Sequence, residues 1–252
     1  GKDRIHPSTD GHLVMAYLFL KAQGLAGKPV ADIRIDGAGK KVTRSDNCRV
    51  SDLSVSSDNL TFTYEAKSLP YPIDTSYYDN EKHTQADALS VIPFMDEMNY
   101  EGLSVSGLSD GYYGLTIGGE FIGRFTAREL ERGINMALLQ NTPQYKQAMK
   151  IRQMNEERWL KERKMREFYW VEYNLMRKTG MLWACNEAAV DTLRKYRPHD
   201  IFLQWNGDLW LQYMHKGIRE DCVNEQQDLV NQIYEQNKPI PLRIEIKKFT
   251  DL

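Results

Sequence analysis

The residues with most chemical reach stand together at the front of the chain, in Asp3-Arg4-Ile5-His6-Pro7-Ser8-Thr9-Asp10-Gly11-His12. A carboxylate three residues before an imidazole can fold back onto one ring nitrogen, fix the tautomer and stabilise the imidazolium. The other nitrogen is then left to take a proton from a hydroxyl nucleophile. Read this way, Asp3 orients and His6 is the general base, two of the three members of a nucleophile-base-acid triad. Pro7 disfavours the α region at His6, so the ring stands on an extended or turn segment ahead of a helix, free to point into a cleft. The plainer reading is a capping and turn segment with a surface histidine; spacing, proline and helix together favour the triad. Asp3, His6, Asp10 and His12 are also ordinary zinc ligands. That alternative is weaker, because the His12 ring begins a helix and is expected to pack or cap there. His83, His199 and His215 stand alone and read as surface or core histidines.

The elements that must hold this motif follow from hydrophobic periodicity. Leu13, Val14, Ala16, Tyr17, Leu18 and Leu20 recur at near-helical spacing over 10–23, with Ser8, Thr9 or Asp10 as cap and Gly24 as stop. From 29 to 67 the period changes to two, in Ala31, Ile33 and Ile35, in Val50, Leu53 and Val55, and in Leu60, Phe62 and Tyr64, with Gly-Ala-Gly and Ser-Asp-Asn clusters between the runs. Residues 68–88, rich in Tyr, Pro, Asp and Asn, read as a long loop. Gly118-Gly119 between Tyr113–Ile117 and Glu120–Phe125 suits a two-residue hairpin turn. Thr126 caps a helix expected over 127–139, and Thr142-Pro143 opens a longer one expected to reach 178. Residues 186–196 and 219–237 read as helices, 200–213 as a hairpin or as helix ends around Asn206-Gly207-Asp208, and 239–249 as a final edge strand. The fold class is α+β, in three parts: 1–28, a β-rich 29–126 and a mainly helical 127–252 with the last strand.

Charge and composition exclude several function classes. The 33 Lys and Arg against 35 Asp and Glu leave a formal net charge of −2, so no global field draws nucleic acid or an anionic membrane. Residues 146–178 hold ten Lys or Arg against five Glu. That local excess reads as a solvated face laced with pairs such as Glu157–Lys161 and Glu162–Arg166. Its Trp159, Phe168, Tyr169 and Trp170 read as packing residues. Apolar runs fall far short of the ~20 residues that cross a bilayer. Three cysteines without a CxxC pair exclude a zinc ribbon and a dense disulfide framework, and Cys185, beside Leu182 and Trp183, reads as a small buried hydrophobe. Tyr71, Tyr77, Tyr78, Tyr100, Tyr112 and Tyr113, near Asp and Asn, are a weaker candidate for stacking on sugar rings.

The string Asp-x-x-His-Pro, followed by Gly11-His12 and an apolar helix, resembles the last conserved block of the SGNH hydrolases, also called GDSL-type esterases. The resemblance covers residues 3–25, about a tenth of the chain. It implies that this stretch is the terminal helix of a flavodoxin-like α/β/α domain, with Asp3 and His6 as acid and base of a Ser-His-Asp triad. It further implies an acyl or acetyl ester as substrate, of a small molecule or a carbohydrate, no metal or organic cofactor, and a secreted or periplasmic protein. Residues 141–145 and the final strand are similar to the long C-terminal extensions of some bacterial members. The family's Gly-Asp-Ser nucleophile block and its Gly-x-Asn-Asp oxyanion block are absent: Gly207-Asp208 runs on to Leu209, and Ser109-Asp110-Gly111 has the wrong order. Both blocks precede the Asp-His block in the family, so the expected partner is an N-terminal SGNH core upstream of this chain, which alone should be inactive. The rival reading is a non-catalytic module that binds glycan or protein. The two differ at the first helix, which exposes an apolar face if a catalytic core is to dock there and is fully packed otherwise.

Overall fold

The computed structural model describes residues 5–76 and 83–249. Asp3, Tyr77 and Tyr78 therefore lie outside the described residues. The fold is α+β, in two compact units: Gly1–Lys150 with Asn237–Leu252, and Ile151–Gln236.

The first unit begins with α1 (Thr9–Ala22) and continues through β1 (Ala31–Asp36), β2 (Lys41–Asp46), β3 (Cys48–Val55) and β4 (Asn59–Ala66). After a 3-10 turn (Gln85–Ser90) come α2 (Phe94–Glu97), β5 (Glu101–Ser106), β6 (Tyr112–Ile117), β7 (Glu120–Thr126), α3 (Ala127–Arg132) and β8 (Ile134–Asn135). The chain returns to this unit at its end with β9 (Leu242–Lys248). One sheet has the order β2-β1-β5-β8, with β1 and β5 parallel; the other, β3-β4-β9-β6-β7, is antiparallel throughout. Period-two patterning decides which faces meet. Leu60, Phe62 and Tyr64 of β4 stand opposite Ile246, Ile244 and Leu242 of β9, while Ile33 and Ile35 of β1 pair with Leu103 and Val105 of β5. These residues share one buried cluster, so the two sheets enclose a common core.

The final strand lies at the centre of its sheet, paired to β4 on one side and β6 on the other, and not at an edge as expected. Three inward aliphatics on a short strand are best buried between two neighbours, and both neighbours come from distant parts of the sequence. The Gly118-Gly119 hairpin forms as expected, with φ of 59° and 85° at the two glycines and Ile117 opposite Glu120. Thr126 caps α3 through a reciprocal box with Glu129: the Glu129 amide donates to Thr126 Oγ1, and the Thr126 amide donates to the Glu129 carboxylate. That helix stops at Arg132 instead of running to 139. Gly133 takes a φ of 93°, and the Asn135 side chain accepts from the Glu101 amide and donates to the Met95 and Asn99 carbonyls, pulling the next residues into β8.

The second unit takes its first helix from the later part of α4 (Pro143–Val171), which ends in a π-helical turn (Glu172–Met176), and adds α5 (Glu187–Tyr196), α6 (Ile201–Tyr213) and α7 (Lys216–Gln236). Its core gathers Met165, Phe168, Val171, Leu175, Met176, Leu193, Leu203, Trp210, Tyr213 and Cys222. Glu172 is buried at the π turn, where one carboxylate oxygen accepts from Trp210 Nε1 and the other from the Trp183 amide, both at 2.8 Å. Residues 200–213, read as a hairpin or helix ends, are helical. Asp200 caps α6 by accepting from the Phe202 and Leu203 amides. Gly207 is there for close approach, since a Cβ would stand 3.2 Å from Arg197 Nε.

Candidate functional site

His6 lies at the surface, on a bend that precedes α1. Gly11, in the first helical turn, lets this segment fold down, for a Cβ there would stand 3.1 Å from Pro7 Cβ. Ser8 occupies the N-cap position without a side-chain cap bond; its hydroxyl donates instead to Asp10, which also accepts from the Gly11 amide at 2.8 Å. These bonds, the Ser8 one foremost, hold the Asp10 carboxyl below its ordinary range against a modest opposing effect of burial. Asp10 thus enters the site as a fixed negative charge at the positive end of a helix.

A histidine the sequence left isolated joins this end of α1. His83 Nδ1 stands 3.9 Å from Asp10 Oδ2 and 3.9 Å from Asp87 Oδ2. Asp87 is held in turn by the Thr84 amide at 2.6 Å, in the capping box that opens the 3-10 turn. The Asp87 pairing has readable i,i+4 spacing; the Asp10 pairing, across 73 residues, has no sequence signal. His12 is exposed and does not pack. Among the described residues no group of three or more His, Cys, Asp or Glu is placed to hold a metal ion.

α1 itself is two-sided. Leu13 and Tyr17 are buried with Ile73, Ala88, Ile92, Phe94 and Met95, and the Tyr17 hydroxyl donates to Glu97, which also pairs with Lys21 at 2.7 Å. Met15, Leu18 and Phe19 on the other side are 59%, 56% and 65% exposed. Exposed aliphatic and aromatic residues at i, i+3 and i+4 form a continuous apolar stripe on this face of α1.

Two carboxylates, Asp10 and Asp87, gather at His83, but a general base needs a nucleophile to activate. The hydroxyl of Ser109 has a lysine beside it, accepting from Lys248 Nζ at 2.8 Å and lying 3.1 Å from the Tyr113 hydroxyl. There the amine donates to the serine oxygen, which ties the turn before β6 to the end of β9. The remaining candidates are scattered. Tyr113 is buried, Tyr112 lies under the Arg124 guanidinium at 3.8 Å, and Tyr71 packs edge-on against Phe94, so these tyrosines do not make one platform. Cys185, read as buried, is exposed, with its sulfur 3.4 Å from His215 Nδ1, and all three cysteines are free. The expected pairs on α4 form, Lys161–Glu157 at 3.8 Å and Arg166–Glu162 at 3.9 Å, alongside closer ones such as Arg152–Glu156 and Arg163–Glu167, each at 2.7 Å. No helix among the described residues is long and apolar enough to cross a membrane.

Residues 149–238 match a family described as the diltiazem deacetylase C-terminal helical domain, a span that nearly coincides with the second unit. No curated protein matches the chain in sequence. A solved structure described as a gut microbial diltiazem-metabolizing enzyme is 40% identical and superposes with a TM-score of 0.93 over 99% of this chain. The chain spans 56% of the length of that enzyme.

Proposed function

We propose that this chain is the C-terminal part of an ester hydrolase of the SGNH type, in which residues 1–28 close the catalytic domain and Asp3 and His6 complete a triad whose serine lies elsewhere in a longer protein. The serine oxygen attacks the ester carbonyl while His6 takes its proton. His6 returns that proton to the departing alcohol, and water then releases the acid by the same route. Asp3 holds the ring and offsets the imidazolium charge. The observation that carries the reading is α1: the helix that follows the Asp-x-x-His-Pro string leaves Met15, Leu18 and Phe19 open on the side away from Leu13 and Tyr17. The likeness to a longer diltiazem-metabolizing enzyme and to a deacetylase domain supports an acetyl ester of a drug-sized molecule as the substrate class. The second reading, a binding module, draws on the other side of the same helix, where Leu13 and Tyr17 are packed within the first unit.

Labelling with a fluorophosphonate, followed by peptide mapping, separates the two. A longer protein carrying this chain is expected to take the label on one serine outside these 252 residues, and to lose labelling with His6→Ala while keeping it with Ser109→Ala. Label on Ser109, or no label on any serine, would overturn the proposal.

A further inference from the structure

Trp159, Arg163, Arg166, Glu167 and Trp170 recur along α4 at i, i+4, i+7, i+8 and i+11, which puts all five on one helix face. That face lines a cleft of about 330 Å³, entirely within the second unit, whose other lining residue is Asn206 of α6. At ~1.5 Å of rise per residue the backbone positions of Trp159 and Trp170 are about 16 Å apart along the helix, longer than a single ring needs. Beyond Trp170 a chain of ring contacts runs to Phe202, tilted at 5.2 Å, and on edge-to-face to Trp205, at 5.4 Å. Trp159 and Trp205 are 46% and 67% exposed, while Trp170 is half-buried, with one side packed against the core of the second unit as the sequence predicts.

The charges in the cleft are unevenly matched. Arg163 is paired with Glu167 at 2.7 Å. Arg166 reaches Glu162 only at 3.9 Å, and Glu162 is engaged by Arg158 at 3.2 Å. The Arg166 guanidinium instead lies over the Trp159 ring, 5.5 Å from its centroid, and both line the cleft. We propose that this cleft binds an acidic oligosaccharide, with sugar rings stacked on Trp159 and Trp170 and a carboxylate held by Arg166.

The chemistry selects this ligand over others. The C–H face of a sugar ring carries partial positive charge and suits the negative face of an indole. Sugar hydroxyls both donate and accept, so Arg163, Glu167 and Asn206 stay hydrogen-bonded when water leaves; a flat apolar partner would strand those charges. One under-matched cation calls for a carboxylate and is too few for a nucleic-acid backbone. The inference does not depend on the ester-hydrolase reading.

Isothermal titration of the 252-residue chain with tetragalacturonic acid, maltotetraose and benzoate at low salt tests it, with tryptophan quenching as a second readout. The acidic tetramer is expected to bind about tenfold tighter than the neutral one, the range of one charge-assisted hydrogen bond. Arg166→Gln should erase that preference, and Trp159→Ala should weaken both tetramers while leaving the melting temperature unchanged. No binding of tetragalacturonate at millimolar concentration, equal binding of maltotetraose, benzoate binding as tightly as the tetramer, or wild-type affinity in both variants would overturn the proposal.

Discussion

Replacing Glu101 by glutamine should remove a pH dependence of stability confined to the first unit. Glu101 is fully buried at the start of β5, and its Oε1 accepts from the Tyr64 hydroxyl at 2.8 Å and from Gln144 Nε2 at 3.1 Å. Its Oε2 and the Oε1 of Gln144 are both buried without a partner among the described residues. A proton on Glu101 Oε2 would remove the charge from this unpartnered buried carboxylate oxygen. Burial favours that neutral form, raising the carboxyl from its ordinary 4.5 to about 7 against the lowering effect of the Tyr64 and Gln144 bonds. The Tyr64 phenol is raised as well, chiefly by burial and then by the Glu101 charge. Because the folded value lies above the unfolded one, the stabilisation is fully present below about pH 4.5 and is lost as pH rises through 7. At ~1.4 kcal/mol per pH unit the loss amounts to ~3 kcal/mol by pH 8. All five tryptophans lie in the second unit, which provides an internal control: urea unfolding followed by far-UV circular dichroism should include a transition that weakens from pH 5 to 8, while tryptophan fluorescence should not. Glu101→Gln, still able to accept from Tyr64 and Gln144 but with no proton to lose, should flatten the pH-dependent transition. Stability that rises with pH over this range, or the same slope in wild type and variant, would refute the reasoning.

Three further outcomes follow from the same structure. Glu172→Gln leaves one oxygen where two accept, from Trp210 and the Trp183 amide, and should lower the stability of the second unit by about 1–3 kcal/mol, read by tryptophan fluorescence. Ellman's reagent should modify Cys185 fast and Cys48 and Cys222 only on unfolding, giving one rapid equivalent per chain. Phe19→Asp should change the stability of this chain by less than about 0.5 kcal/mol, because the ring is mostly in solvent, yet lower the melting temperature of a longer protein in which α1 is covered.

Local chemistry was legible and long-range partnership was not. The Gly118-Gly119 turn, the Thr126 cap and the alternation in β9 each act over a few residues, and each appears where the sequence places it. The central position of β9 depends on β4 and β6, which no local pattern announces. Asn206-Gly207-Asp208 has turn composition, but Gly207 makes room for Arg197, whose guanidinium clasps Asp208 at 2.6 and 2.7 Å, and the helix runs through. At the candidate site, the bend at His6 ahead of α1 was readable from Pro7. The approach of His83 to Asp10 was not, because it depends on how residues 83–90 fold against α1.

The central claim, that His6 is the base of an ester hydrolase, is tested most directly by p-nitrophenyl acetate hydrolysis. The rates to compare are those of this chain alone and of a longer protein carrying it, each with and without His6→Ala. Activity is expected only in the longer protein, with a fall in kcat of about 100-fold or more on the substitution, the usual scale of general-base catalysis. A longer protein that hydrolyses the ester equally well without the His6 imidazole would contradict the claim.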